Sequence, residues 1–204
     1  TWNHFYSSIS SRRRSDFRRV RRQLEARGEV SIDIRKPSPD TLPELLKEAF
    51  RVESSGWKGR RGSGLMVNTI LRDFFSSYAV RTCHLGSLRL CFLRVDGQPI
   101  ATQIAVQHAN RWWVLKIGFD ETWADYSPGM QLMMDTVRHV FESGLGGYEF
   151  LGSSEAWLRI WTRQERTYTS LDYYPRTLSG TTALTVDALA LVSGRLIASV
   201  KKAC

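Results

Sequence analysis

The sequence predicts an α/β fold in which a mixed, mainly antiparallel sheet is flanked by helices. Three segments, 87–95, 98–108 and 111–118, have strand patterns and are joined by the hairpin signals Asp96-Gly97 and Ala109-Asn110. Segments with helical periodicity lie before and after this meander. The predicted order of elements, α, β, α, α, β, β, β, α, β, α, β, is typical of a mixed sheet covered by helices.

An arginine-rich helix is predicted near the start of the chain. Phe17, Val20 and Leu24 recur at helical spacing and would pack against the domain. The net charge of +9 is unevenly placed, because seven arginines and one aspartate lie between Ser11 and Arg22. This basic face fits a solvated surface, a surface that contacts phosphate or an acidic polymer, or apposition to a membrane.

Between this helix and the meander, the pattern predicts one strand and two helices. Residues 29–36 alternate apolar and polar side chains as a strand does, and a Pro-Ser-Pro segment ends them. Asp40 is placed to cap a helix that runs to Phe50. A loop over 56–64, rich in glycine and charge, then leads to a helix over 65–82.

The chain after the meander predicts further helices and two strands. One apolar face of a helix from Pro128 to about Ser143 is formed by Met130, Met133, Met134, Val137 and Phe141. A strand over 148–151, a helix over 154–162 and a strand over 167–174 follow. The apolar segment 183–200 is interrupted by Asp187 and Arg195, so we expect it to be a packed C-terminal helix that does not span a membrane.

The last strand of the meander and the helix after it form a candidate anion site. The strand alternates two sets of side chains, Trp112, Val114 and Lys116 on one face and Trp113, Leu115 and Ile117 on the other. Ser127 is placed to cap the next helix, Pro128 suits its first turn, and Gly129 leaves room for a ligand. Since the start of a helix attracts negative charge, a pyrophosphate is expected there.

Four motifs occur in an order that resembles a known family. They are Ser10-Ser11-Arg12-Arg13-Arg14-Ser15-Asp16, Glu53-x-x-Gly56-Trp57-Lys58-Gly59, Leu115-Lys116-Ile117-Gly118-Phe119-Asp120 and Tyr126-Ser127-Pro128-Gly129. From about Ser10 to Tyr174 the chain resembles the GNAT-type acetyltransferases named for cellulose biosynthesis, the CelD/BcsL-like group, which is related to the FemAB-type aminoacyl transferases. The resemblance implies a GNAT fold, acetyl-CoA or another acyl-CoA as donor, and an amine or hydroxyl acceptor.

The resemblance places acetyl-CoA on the turn and on the start of the helix. The backbone N–H groups that would hold its pyrophosphate are those of Gly129, Met130 and Gln131, beside Ser127. Strand backbone near Ile117 and Gly118 would polarise the thioester carbonyl. The family's phosphate loop reads Gln/Arg-x-x-Gly-x-Gly/Ala, whereas this chain has Tyr126-x-x-Gly129-x-Gln131.

Two carboxylates are candidates for the catalytic base. Glu53 or Asp120 would draw the proton from the acceptor, directly or through water. Lys116 flanks the end of the strand and is a candidate substrate contact. A simpler interpretation, a surface ion pair between Lys116 and Asp120, stays open.

Aromatic and basic side chains complete the candidate acceptor site. Trp57 offers a flat wall to a sugar or an amine stem, and Lys58 offers an anion contact, although a tryptophan there can also simply close the edge of the core. Trp157 is a further candidate contact, at a position where relatives often carry an aromatic residue followed by lysine. Leu158 replaces that lysine here.

Several other classes lack their sequence signals. The four histidines form no H-E-x-x-H motif and no Cys/His cluster, so we expect no metal, and no Gly-x-Ser-x-Gly elbow of a serine hydrolase occurs. Three cysteines without C-x-x-C spacing fit a reducing, cytoplasmic compartment. We expect one acyltransferase domain over 1–177 and a C-terminal helix over 178–204. The chain begins at Thr1 and the resembling proteins are usually longer, so we expect an upstream segment to be missing.

The predicted function is transfer of an acetyl or other acyl group from acyl-CoA to an amine or hydroxyl of a small-molecule or saccharide acceptor. The resemblance alone points to an acceptor related to the cell envelope. Two alternatives remain open. One is a FemAB-like aminoacyl transferase that uses aminoacyl-tRNA, which the arginine helix fits through phosphate contacts. The other is a catalytically silent GNAT-fold module in exopolysaccharide assembly.

Overall fold

The computed structural model describes residues 1–56, 62, 64–152, 155–167, 169 and 171–203, with side chains up to residue 191. These residues form two compact units, Thr1–Arg163 and Gln164–Cys204. The second unit contains a helix, Leu178–Ala203, which begins earlier than the pattern over 183–200 indicated. The proposed division into domains 1–177 and 178–204 stays a prediction.

The first unit is built on a five-stranded sheet. Its strands, in spatial and sequence order, are β1 Val30–Arg35, β2 Leu88–Val95, β3 Gln98–His108, β4 Arg111–Phe119 and β5 Gly147–Glu149. Neighbouring strands are antiparallel except β4 and β5, which are parallel. The helices of this unit are α1 Trp2–Ser8, α2 Ser11–Glu25, α3 Leu42–Ser54, α4 Thr69–His84 and α5 Pro128–Glu142, with 3₁₀ helices at Glu121–Tyr126 and Ala156–Ile160.

Helices cover both faces of the sheet. On one face, α3 and α4 pack side chains such as Phe50 and Ala79 against Leu90 and Ile104. On the other face, the core formed by α2, α5 and the strands includes Leu24, Leu132, Leu93 and Trp112. This arrangement confirms the predicted fold class, a mixed, mainly antiparallel sheet flanked by helices. None of the described helices is long and apolar enough to cross a bilayer.

Strand β4 contains a bulge that changes the predicted pattern of its faces. Ile104 of β3 pairs with Lys116, but the next residue, Ala105, pairs with Val114, so Leu115 is an extra residue in β4. Leu115 packs on the α3/α4 face, and Lys116 also lies on that face, near Phe75. The prediction that Lys116 shares a face with Trp112 and Val114 is therefore wrong, because the bulge shifts the alternation by one residue.

The two parallel strands pair over a short distance only. Their register runs from Arg111 and Gly147 to Trp113 and Glu149, where β5 ends. Strand β4 continues to Phe119. Beyond Trp113 it keeps β3 on one side but has, within the described residues, no strand on the other. The start of α5 adjoins this part of β4, since a Cβ atom built on Gly129 would touch the side chains of Phe119 and Ile117.

Some element predictions were wrong. No strand occurs among the described residues of 167–174, where Leu171 and Tyr173 are about nine-tenths exposed, so their alternation does not mark a buried face. Of the predicted helix over 154–162, residue 154 lies outside the described residues, and the described part forms a 3₁₀ helix, Ala156–Ile160, in place of an α-helix. Thr41, and not Asp40, is the N-cap of α3. Helix α1 was not predicted.

Gly118 allows α3 to lie directly on β4. A Cβ atom built on Gly118 would overlap the Cα atom of Glu53, and it would also lie 3.1 Å from the Cβ and Cγ atoms of Glu53. Backbone atoms cannot move aside as a flexible side chain does. The absence of a side chain at Gly118 therefore fixes how closely the end of α3 approaches the end of β4.

We expect Gly118→Ala to lower the free energy of unfolding by about 1–3 kcal/mol, because α3 must shift to accept the methyl group. Urea denaturation measures this. Gly129→Ala is the matched control, since its Cβ would lie 3.4 Å from Phe119 Cδ1, an ordinary contact distance. Equal stability of the two variants would contradict the close packing of α3 on β4.

Candidate active site

The last turn of α3 lies along the end of β4 and brings several candidate residues together. Glu53 packs on Gly118, and a Cβ atom built on Gly56 would lie 3.2 Å from the carbonyl oxygen of Phe119. Lys116 belongs to this end of β4, and Asp120 follows the strand directly. The structure therefore brings Glu53, Lys116, Gly118 and Asp120 to the same end of β4, and their roles in a site stay predictions.

Glu53 is held by a backbone group. Its side chain is fully covered, with 0% exposed. Its Oε2 atom accepts a hydrogen bond from the N–H of Leu65 at 2.9 Å and one from the Ser54 hydroxyl at 3.4 Å. The carboxylate thus ties the end of α3 to the segment that precedes α4.

Lys116 faces Glu53 and not Asp120. Its Nζ atom lies 4.0 Å from Glu53 Oε1 and 5.4 Å from the ring centre of Phe75, and 22% of its side chain is exposed. The ammonium group is therefore placed between a carboxylate and the face of an aromatic ring, which attracts a cation. The exposed part of the side chain leaves it able to contact a ligand.

Asp120 has a local role in the turn after β4. Its Oδ1 atom accepts hydrogen bonds from the N–H of Thr122 at 3.0 Å and from the Thr122 hydroxyl at 2.8 Å. Its own N–H donates to Ile100 O at 2.8 Å. Asp120 thus caps the 3₁₀ helix Glu121–Tyr126, and it is more accessible than Glu53 because it is half-buried.

The start of α5 differs from the predicted cap. Ser127 is the N-cap residue, as predicted, but its backbone is left-handed, with φ 46° and ψ 50°, and its side chain makes no capping hydrogen bond. Its carbonyl oxygen accepts from the N–H groups of Met130 at 2.9 Å and Gln131 at 3.1 Å. The N–H of Gly129 has no acceptor within the described part of the chain. Of the three predicted pyrophosphate donors, Gly129 is thus the one not already engaged.

Gln131 replaces the small residue of the family's phosphate loop and serves a different purpose. Its side chain is buried, and its Nε2 atom donates to the carbonyl oxygen of Phe17 in α2 at 3.3 Å. Gly129 lies beside it with room for a ligand, since only Phe119 and Ile117 would touch a Cβ atom there. The side chain of Gln131 therefore secures the helix, and Gly129 leaves its start open.

The predicted acceptor contacts are only partly described. Trp57 and Lys58 lie outside the described residues. Trp157 lies beyond β5, with its ring against the edge of Phe150 at 6.4 Å between centroids. Its indole N–H donates to Glu155 Oε2 at 2.7 Å, so this candidate contact has a local partner in the structure.

A buried polar network that the sequence did not predict connects β3, β4, β5 and α5. Gln103 accepts from the indole N–H of Trp112 at 3.1 Å and donates to the Tyr148 hydroxyl at 2.9 Å. That hydroxyl also lies 3.0 Å from the Thr136 hydroxyl. Burial raises the pKa of Tyr148, so the phenol stays neutral. A glutamine within an apolar strand was the only signal available.

Comparison with known proteins identifies the class of this domain. A family model described as an acetyltransferase (GNAT) domain matches residues 11–159. The chain therefore belongs to the GNAT acetyltransferase family. Its relationship to the CelD/BcsL-like group or to the FemAB-type enzymes stays a prediction.

Solved structures resemble the chain at low sequence identity. PaiA N-acetyltransferase from Thermoplasma acidophilum, in complex with coenzyme A, is 18% identical, and the match covers 56% of this chain and 75% of that one with a TM-score of 0.43. An aminoglycoside acetyltransferase from an uncultured soil metagenomic sample, in complex with sisomicin, is 10% identical over 72% and 97%, with a TM-score of 0.47. A GCN5-related N-acetyltransferase from Ralstonia eutropha is 15% identical over 72% and 98%, with a TM-score of 0.47. No curated protein matches the chain.

Two substitutions at Glu53 separate its contacts. Glu53→Ala leaves the buried N–H of Leu65 without its acceptor, so we expect a loss of about 1–3 kcal/mol in the free energy of unfolding. Glu53→Gln keeps an oxygen acceptor and should cost clearly less. Urea denaturation compares the two. If both variants lose the same stability, the carboxylate acts through its charge beside Lys116 and not through Leu65.

Proposed function

We propose that this chain transfers an acetyl or other acyl group from acyl-CoA to an amine or hydroxyl acceptor. The observation that carries the proposal is that the end of β4 lies next to two regions, the start of α5 and the face covered by α3 and α4. Beyond Trp113 it no longer pairs with β5, which ends at Glu149, and it leads to the open start of α5. On its α3/α4 face lie Glu53 and Lys116. A donor and an acceptor can therefore reach the same strand end from different sides.

The donor side would use backbone groups. The N–H of Gly129 and the start of α5 would hold the pyrophosphate, with Ser127, Met130 and Gln131 as the surrounding turn. Backbone near Ile117 and Gly118 would polarise the thioester carbonyl and stabilise the oxyanion that forms when the acceptor attacks it. The carbon–sulfur bond then breaks, and CoA leaves as a thiolate that takes up a proton.

The acceptor side would use charged residues. Asp120 or Glu53 would take the proton from the acceptor, and the coverage of Glu53 favours a relay through water for that residue. Lys116 would contact the acceptor together with Trp57, Lys58 and Trp157. A saccharide or cell-envelope acceptor is the class that the resemblance to the CelD/BcsL-like group supports.

Acetyl-CoA binding tests the donor site. We expect Gly129→Asp to abolish binding in calorimetric titration, because it places a side chain and a negative charge where the pyrophosphate should lie. Gly129→Ala, whose methyl group has an ordinary contact distance to Phe119, should bind far better than Gly129→Asp. A folded Gly129→Asp variant with full affinity would place the site elsewhere.

Turnover tests the two carboxylates. We expect Glu53→Gln or Asp120→Asn to lower kcat by roughly tenfold or more at saturating acceptor, since general-base catalysis typically contributes 10²–10⁴-fold. The Asn side chain at 120 keeps an oxygen for the N–H of Thr122, so the turn is preserved. Unchanged turnover in one variant assigns the base to the other, and unchanged turnover in both would show that neither carboxylate takes the proton.

Exposed arginines on α2 support a second candidate function. Arg12, Arg13, Arg18 and Arg22 are exposed and make no ion pair within the described residues, whereas Arg19 pairs with Asp16 and Arg21 with Glu25 and Asp135. Unpaired arginines on one helix are suited to phosphate. This favours a FemAB-like aminoacyl transferase as the alternative, with aminoacyl-tRNA as donor.

Salt dependence of tRNA binding separates the two functions. A site that uses several of these arginines should bind tRNA below micromolar at moderate salt, with log affinity falling against log salt by about 0.7–0.9 per phosphate contact. Reversing the charge at Arg12, Arg18 and Arg22 should then abolish binding. We expect only weak binding, because Val20 and Leu24 make α2 a packed scaffold element. Tight tRNA binding in competition with the acyl donor would favour the aminoacyl transferase.

A further inference from the structure

The outward face of α2 carries positive charge that the packing of the domain does not use. Arg12, Arg18 and Arg22 lie on the side of the helix away from the buried Val20 and Leu24. All three are exposed, and none makes an ion pair within the part of the chain that the structure describes. These three arginines define the outward face.

The acidic residues of α2 neutralise little of this charge. Asp16 pairs with Arg19 at 2.6 Å, and both side chains are more than half exposed, so this pair is weak in water. Glu25 pairs with Arg21 at 3.1 Å, and Arg21 also meets Asp135 on the side that faces α5. The outward face therefore keeps its positive charge and attracts an anionic partner.

Helix α1 places aromatic side chains beside α2. Trp2, Phe5 and Tyr6 are half-buried. Trp2 and Phe5 pack against a buried cluster beside α5, which consists of Met133, Val137 and Trp161. Arg14, one helical turn before Arg18, lies over the ring of Tyr6, with its Cζ atom 5.8 Å from the ring centre. The aromatic side chains of α1 thus adjoin the basic helix.

The aromatic rings of α1 fit a lipid surface better than a stacked base or sugar. Trp2 and Tyr6 stack on each other at 5.3 Å between ring centres, and Phe5 stacks on Phe141 at 5.1 Å. Rings that stack on one another leave less of their faces for a flat ligand. The indole N–H of Trp2 and the hydroxyl of Tyr6 have no partner among the described residues, so these polar ends can meet lipid headgroups.

We propose that α1 and the outward face of α2 bind the surface of an anionic phospholipid bilayer. Arg12, Arg18 and Arg22 contact the lipid phosphates, and Trp2 and Tyr6 enter the headgroup region beside them. The two contributions act together, because salt screens the charges and a few half-buried rings offer only a small apolar area. Attachment of this kind is peripheral and reversible.

Co-sedimentation of the full chain with vesicles tests the proposal. We expect binding to vesicles of equimolar phosphatidylcholine and phosphatidylglycerol, weakening as salt is added, and little binding to phosphatidylcholine alone. Each arginine near an anionic surface contributes about fivefold in affinity, so Arg12→Gln, Arg18→Gln and Arg22→Gln combined should weaken binding about a hundredfold. These exposed positions tolerate substitution, so the variant should fold. No binding by the wild type, or full binding by the variant, would overturn the proposal.

A second triple variant is the matched control. Lys47→Gln, Arg51→Gln and Arg81→Gln combined remove the same charge from exposed positions of α3 and α4, on the opposite face of the sheet. This variant should keep most of the binding. Equal losses in the two triple variants would assign the binding to net charge and overturn the proposal. Tighter binding to tRNA than to anionic vesicles would overturn it in favour of a nucleic-acid surface.

Trp2→Phe tests the contact of α1 with the bilayer, since phenylalanine keeps an aromatic ring in the packing and removes the indole. Lipid brominated near the headgroup end of its acyl chains quenches the fluorescence of a tryptophan that lies close to it. We expect anionic vesicles that contain this lipid to quench the wild type more strongly than Trp2→Phe. Equal quenching would show that Trp2 stays outside the bilayer and would overturn the proposed placement of α1.

Discussion

The extra residue in β4 is the constraint on which the candidate site depends. Without the bulge at Leu115, strict alternation would turn Lys116 toward α5 and Ile117 toward α3. With it, Lys116 faces Glu53 and Phe75, while Ile117 packs in the cluster beside α5. One strand can therefore present a charged side chain to one side of its end and an apolar wall to the other. Both sides are needed if a donor and an acceptor meet there.

The close contact between Gly118 and Glu53 makes this arrangement rigid. Since a backbone atom of α3 lies where a Cβ atom would be, the helix end has little freedom to slide along β4. The same glutamate binds the N–H of Leu65. The position of the segment before α4 is thus set by a residue that also faces Lys116. A substitution at Glu53 therefore changes both the packing of α3 on β4 and the charge that faces Lys116.

Much of the fold could be predicted because it depends on local patterns. The two hairpin signals fix the meander, and the apolar face from Met130 to Phe141 identifies α5. The bulge could not be predicted, since it is a property of the register between β3 and β4 and leaves no local mark at Leu115. The left-handed Ser127 is similar, because serine usually caps through its side chain. The sequence also gave no sign that the indole N–H of Trp161 is buried without an acceptor, since such a donor is recognised only once its neighbours are known.

The two departures from the family's phosphate loop have one physical explanation. Tyr126 and Gln131 both contact the arginine helix or its end: the Tyr126 hydroxyl accepts from Arg27 at 2.6 Å, and Gln131 donates to Phe17 at 3.3 Å. Arg21 and Asp135 add an ion pair between α2 and α5. At both positions the side chain of this chain anchors α2 or its end behind the start of α5. The arginine helix is therefore part of the wall of the candidate donor site. Its inner face packs against the domain, and its charged outer face is exposed.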